Sequence, residues 1–115
     1  MNDKRRLPRK RPNTTLHVVD AMTDAVVGRI GDLSLGGMML LADRAFRDDA
    51  LFQFVFHLSD ARGIQTPIEV GVRELWNDTA SVPGQNWVGF RFIDISVDAI
   101  ACLNTWLAYS EPQQP

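Results

Sequence analysis

Between residues 14 and 92 of this 115-residue chain, apolar side chains recur at every second position in short runs, the pattern of half-buried strands. Thr14 to Asp20 sets Leu16 and Val18 against Thr15, His17 and Val19, and Ala25 to Asp32 follows a Met-Thr-Asp turn. Gly37 to Ala42 is almost wholly apolar. Leu51 to Leu58 alternates most cleanly, with Phe52, Phe54, Phe56 and Leu58 on one face and Gln53, Val55 and His57 on the other. Ile68 to Trp76 groups Ile68, Val70, Val72 and Trp76, and Trp87 to Phe92 groups Val88, Phe90 and Phe92. Turn-forming residues separate the runs at Asp60 to Gly63, Asn77 to Asp78 and Pro83-Gly84.

The period then lengthens. From Val97, apolar residues return at Ile100, Leu103, Trp106 and Leu107, which is helical spacing. Ser96 stands where an N-cap is expected, and Asp98 falls in the first turn, where the helix dipole favours a carboxylate. Six strands followed by one helix predict a mainly β fold, a six-stranded antiparallel β-barrel with a C-terminal α-helix at its end or flank. Closure removes the exposed edges that such short strands would otherwise present.

Composition leaves this picture standing: 45% hydrophobic and 23% charged residues are ordinary for one folded domain of this length. No run of eighteen apolar residues exists to span a membrane, and no apolar stretch follows the basic N-terminus to make a secretory signal. A single cysteine, Cys102, excludes an internal disulfide and fits a cytoplasmic protein. The expected organisation is a flexible basic arm over residues 1–13, the barrel with its helix over 14–110, and a frayed tail over 111–115.

Charge changes the picture more. KRRLPRKR, residues 4 to 11, holds six of the twelve basic residues, leaving six against thirteen acidic ones in residues 12–115, a formal charge of about −7. A concentrated basic arm on an acidic body raises the question of which anion it serves. Catalytic equipment is thin. His17 and His57 sit on expected strands without catalytic or metal-ligand spacing, and Cys102 falls within the helical repeat as a buried, inert thiol would. The Phe52, Phe54 and Phe56 face could stack bases, but at strand spacing it reads first as barrel interior.

The stretch GDLSLGGMML, residues 31 to 40, is the other informative one. Asp32 and Ser34 are two apart, so on an extended chain they share a face, and Gly37 permits a turn or a close ligand approach. Two readings stand: a carboxylate and hydroxyl reading the N1-H and N2-H donors of guanine, or an Asx or ST turn closing a hairpin.

R-x-x-x-R at Arg5 and Arg9, followed by D-x-S-x-x-G at Asp32, Ser34 and Gly37, resembles the paired signature of the PilZ domain family. Trp76 at the end of a middle strand and WVGFRFIDIS leading into a closing helix are similar to the family's later landmarks, so the resemblance covers nearly the whole chain. It implies a non-enzymatic receptor for cyclic di-GMP, with no cofactor and no metal. The ligand would be clamped by Arg5, Arg6, Arg9, Asp32, Ser34 and Gly37, with Lys4, Gly36 and Trp76 at the margins. Arginine forks suit the O6 and N7 acceptors of guanine and the phosphates, while Asp32 supplies the acceptor that arginine lacks. Binding would order the arm and create a surface for a downstream protein of motility, adhesion or polysaccharide export. Lys4 stands where some members carry an arginine tied to an intercalated ligand pair, so one bound ligand and two both remain open. The rivals are a nucleic-acid-binding barrel gripping phosphates with its arm, and a PilZ-like interaction module that binds no nucleotide.

Overall fold

A computed structural model describes residues 8–109, comprising six strands and one helix. The strands are β1 (His17–Asp20), β2 (Val26–Leu33), β3 (Gly37–Ala42), β4 (Leu51–Ser59), β5 (Gln65–Thr79) and β6 (Asn86–Ile95), and the helix is α1 (Val97–Ala108). All neighbours are antiparallel, and the sheet closes in the order β1-β2-β3-β6-β5-β4, with Val19 and Asp20 of β1 meeting Val55 and Phe54 of β4. The mainly β barrel expected from the alternation is therefore the fold.

Alternation fills the interior as period-two side-chain direction requires. Phe54, Phe56 and Leu58 of β4 are buried, as are Ile68, Val70 and Val72 of β5 and Val88, Phe90 and Phe92 of β6. Phe46, from the loop between β3 and β4, plugs the barrel among Phe52, Phe54 and Phe90 with near-perpendicular rings. The phenylalanine face is thus interior, not a stacking platform.

Three details depart from the sequence pattern. Asn77 and Asp78 lie within β5 rather than in a turn, and the reversal comes at residues 80–85, where Gly84 takes φ of +83°. Val97 and Ile100 of α1 are exposed, and the buried stripe is Ala99, Leu103 and Trp106. Trp76 does not share the inward face of Ile68, Val70 and Val72, since it is exposed and Glu74 takes the inward position. A bulge between Glu74 and Trp76 causes this: Glu74 pairs with Phe90 and Trp76 with Gly89, leaving Leu75 as the extra residue. One inserted residue reverses the parity of all that follow.

The buried carboxylate of Glu74 accepts from the Asp49 N–H at 2.9 Å and from the side-chain amide of Asn77. Asn77 in turn accepts from the Phe46 N–H and donates to the Phe46 carbonyl. The bulge and the plugging loop are therefore held by one hydrogen-bonded unit. Ser96 caps α1, its hydroxyl accepting from the Ala99 N–H at 3.0 Å.

Candidate ligand site at the barrel rim

The site grows from the β2–β3 turn. Ser34 donates its N–H to the Gly37 carbonyl at 2.9 Å, donates its hydroxyl to the same oxygen at 3.3 Å and accepts from the Gly36 N–H at 3.1 Å. Its hydroxyl is thus engaged in a local turn, the second of the two readings above. Gly37 has an equally definite reason to be glycine. A Cβ there would collide with the carbonyl oxygen of Phe90, because β6 passes directly alongside, with Phe92 donating to the Gly36 carbonyl at 2.9 Å. Ser34 and Gly37 shape the rim, and Asp32 is the charged residue of the motif, its carboxylate paired with Arg9.

A second segment crosses this rim. Lys10 pairs with Leu33 at the end of β2 through both backbone hydrogen bonds, 2.9 and 3.0 Å, which lays residues 9–11 along the barrel. Consecutive side chains of extended backbone point to opposite sides. Arg9 reaches the Asp32 carboxylate at 3.2 Å, while Lys10 turns to α1. The ammonium of Lys10 donates to the carbonyls of Trp106 and Tyr109 at 2.7 and 2.8 Å and stands 4.3 Å from the Trp106 ring centroid. The last turn of α1 has no basic residue of its own, so Lys10 supplies the cation its dipole and free carbonyls favour. Lys10 thus fastens this segment to both the barrel and the helix.

Beside the Arg9–Asp32 pair opens a cavity of about 280 Å³. Of the residues singled out in the sequence, Arg9, Ser34, Gly36, Gly37 and Trp76 line it. Asp32 joins them through Arg9. Lys4, Arg5 and Arg6 lie outside the described residues. The bulge places both Leu75 and Trp76 on the outer surface as one wall, and the indole lies over the backbone of Gly89, where a Cβ would strike it. Arg91 of β6 also lines it. The sequence pattern passed over Arg91, Gly89, Leu75 and Met39. Alternation with Val88, Phe90 and Phe92 marks Arg91 as outward, but only the strand order β3-β6-β5 brings it to this rim. A glycine that pairs across strands with tryptophan becomes visible only once the bulged register is known.

His17 and His57 are both exposed, Cys102 is half-buried, and no metal-binding cluster occurs among the described residues. No described helix is long and apolar enough to cross a membrane.

A closed six-stranded barrel whose rim offers an arginine, a carboxylate and an indole face around an open cavity has the form of a small-ligand binding module. The chain belongs to the PilZ domain family, whose model matches residues 3–109. Three solved structures share the fold. The Bacillus subtilis inhibitor of motility (MotI/DgrA) superposes with TM-score 0.73 at 10% identity, over 89% of this chain and 48% of that one. This chain therefore spans about half the length of that protein. The PilZ domain of YcgR from Escherichia coli, solved with c-di-GMP, gives TM-score 0.63 at 19% identity, over 89% and 87% of the two chains. The PilZ domain of CeSA from a cellulose-synthesizing bacterium gives 0.55 at 14%, over 84% and 91%. No curated protein matches the sequence significantly.

Proposed function

We propose that this domain is a cyclic di-GMP receptor that binds the nucleotide at the barrel rim and passes the signal to a partner protein. The observation that carries the reading is the meeting of the two sequence motifs, with Arg9 of R-x-x-x-R 3.2 Å from Asp32 of D-x-S-x-x-G at the mouth of the cavity. Arg9 is 62% exposed, and an ion pair so open to solvent is worth about 0–1 kcal/mol. A ligand that offers arginine a phosphate or a guanine edge, and offers the carboxylate the guanine N–H donors, exchanges that weak contact for several stronger ones. Trp76 provides a face for a purine, and Arg5 and Arg6, with Lys4, would close over the ligand from the other side.

PilZ membership supports a binding role rather than catalysis. The partner is a separate protein of motility, adhesion or polysaccharide export, and the setting is cytoplasmic, in accord with the unpaired Cys102. The test is calorimetric titration with cyclic di-GMP, with GTP and single-stranded DNA as controls, repeated on Arg9→Ala and Asp32→Ala. Saturable heat with cyclic di-GMP alone, lost in both variants, is expected. Equal binding of single-stranded DNA, or wild-type affinity in Asp32→Ala, would overturn the reading.

A further inference from the structure

Arg91, which lines the same cavity as Arg9, faces a second arginine. In the β5–β6 ladder Arg73 stands directly opposite Arg91. Their neighbours in each strand, Val72 and Glu74 on one side and Phe90 and Phe92 on the other, are buried, so both arginines project from the outer surface. Like charges directly opposed across a ladder destabilise it. The chain has ample means to avoid this, since residues 12–115 hold thirteen carboxylates and six basic residues.

The surroundings supply no compensation. Arg73 pairs on its other side with Leu51, and Arg91 with Gly37, which has no side chain to cover it. Along the strands toward the cavity, the outward residues are Leu75 and Gly89. Glu74, the adjacent carboxylate, turns inward to Asp49 and Asn77. Among the described residues the ion pairs are Arg9–Asp32 and Arg44–Asp43, and neither involves this pair.

We propose that Arg73 and Arg91 form an anion subsite at the cavity's outer lip that takes a phosphate group between the two guanidinium forks. An anion there converts the repulsion into two charge-assisted contacts, which explains why no carboxylate among the described residues pairs with these arginines. On the cyclic di-GMP reading, on which this identification of the ligand rests, the group is one of the two phosphodiesters. Arg9 and Asp32 then meet one part of the nucleotide and the arginine pair a phosphate.

The experiment measures cyclic di-GMP affinity against salt for the wild type, Arg73→Gln, Arg91→Gln and the double variant, with Arg62→Gln in the distant β4–β5 turn as control. In parallel, thermal unfolding is followed with sodium pyrophosphate against sodium chloride at equal ionic strength. Each substitution of the pair should weaken nucleotide binding roughly ten-fold and lower the slope of log affinity against log salt by about one. Without ligand, Arg73→Gln should melt no lower than the wild type, because a repulsion has been removed. Pyrophosphate should raise the melting temperature of the wild type and not of the double variant. Wild-type affinity and salt slope in the double variant would overturn the subsite while leaving the receptor reading intact. Stabilisation by pyrophosphate through this pair, in a protein that ignores cyclic di-GMP, would keep the subsite and overturn the nucleotide reading. Undiminished nucleotide binding with loss of an acidic polypeptide partner in the double variant would reassign the pair to a protein contact and also overturn the subsite.

Discussion

Replacing Glu74 by glutamine removes almost no volume yet should destabilise the domain measurably. Glu74 is 1% exposed, and both of its oxygens accept, one from the Asp49 N–H at 2.9 Å and one from the Asn77 amide. Glutamine has one acceptor oxygen, so its own NH₂ must face one of these two donors. Leaving one buried donor unsatisfied costs about 1–3 kcal/mol. Against a total stability of about 5–15 kcal/mol, and with about 4 °C of melting temperature per kcal/mol in a domain of this size, the expected shift is roughly 4–12 °C. Leucine strands both donors and should cost more, although it is the more apolar residue. Urea unfolding of wild type, Glu74→Gln and Glu74→Leu, with m-values compared, gives the ranking. Hydrogen exchange at the Asp49 amide should rise in both variants. A leucine variant as stable as the wild type would refute the account, because it would mean that the loop and bulge are held by apolar burial alone. The consequence reaches the candidate site, since the bulge held at Glu74 is what turns Trp76 outward.

Other outcomes follow from the same geometry. Lys10→Met keeps the apolar stem but loses the two carbonyl contacts and the cation over Trp106; it should cost about 1 kcal/mol in unfolding experiments and raise hydrogen exchange in the last turn of α1. Gly89→Ala must tilt the Trp76 indole away and should weaken cyclic di-GMP binding roughly ten-fold, with the far-UV circular dichroism unchanged. Gly37→Ala sets a methyl against the Phe90 carbonyl and should lower thermal stability far more than Gly63→Ala, where the added atom meets open space and the penalty is the left-handed φ of +85°.

Alternation made the barrel readable, because every strand has one wet and one dry face, and Phe54, Phe56 and Leu58 fall where a period of two sends them. It failed at Trp76 for a physical reason: a bulge changes parity without leaving a residue-type signature, and Leu75 is no less apolar than its neighbours. The helix shows a related limit. Val97 and Ile100 fit a 3.6-residue period as well as Ala99 does, and the partner strands decide which stripe is covered. At the site, the two motifs identified Arg9 and Asp32 as a pair, and their contact is present. They did not distinguish the ion-paired carboxylate of Asp32 from the turn-forming hydroxyl of Ser34, a difference set by hydrogen bonds to Gly36 and Gly37. Arg73 and Arg91, eighteen positions apart, became partners only through strand register.

The fastening of Lys10 limits how far the residues upstream of it can reach. With its backbone paired to Leu33 and its ammonium held at the end of α1, Lys10 is a mooring one residue from Arg9. Covalent geometry then allows Arg5, five positions upstream, a reach of at most about 18 Å from that point. On the proposed function, a cation on so short a tether would meet a ligand bound at the rim at an effective concentration of millimolar order or more, whatever the amount of protein in solution. Closing over that ligand would then be a unimolecular event, and the affinity it adds would depend on the length of chain between Arg5 and the mooring as much as on the arginine itself.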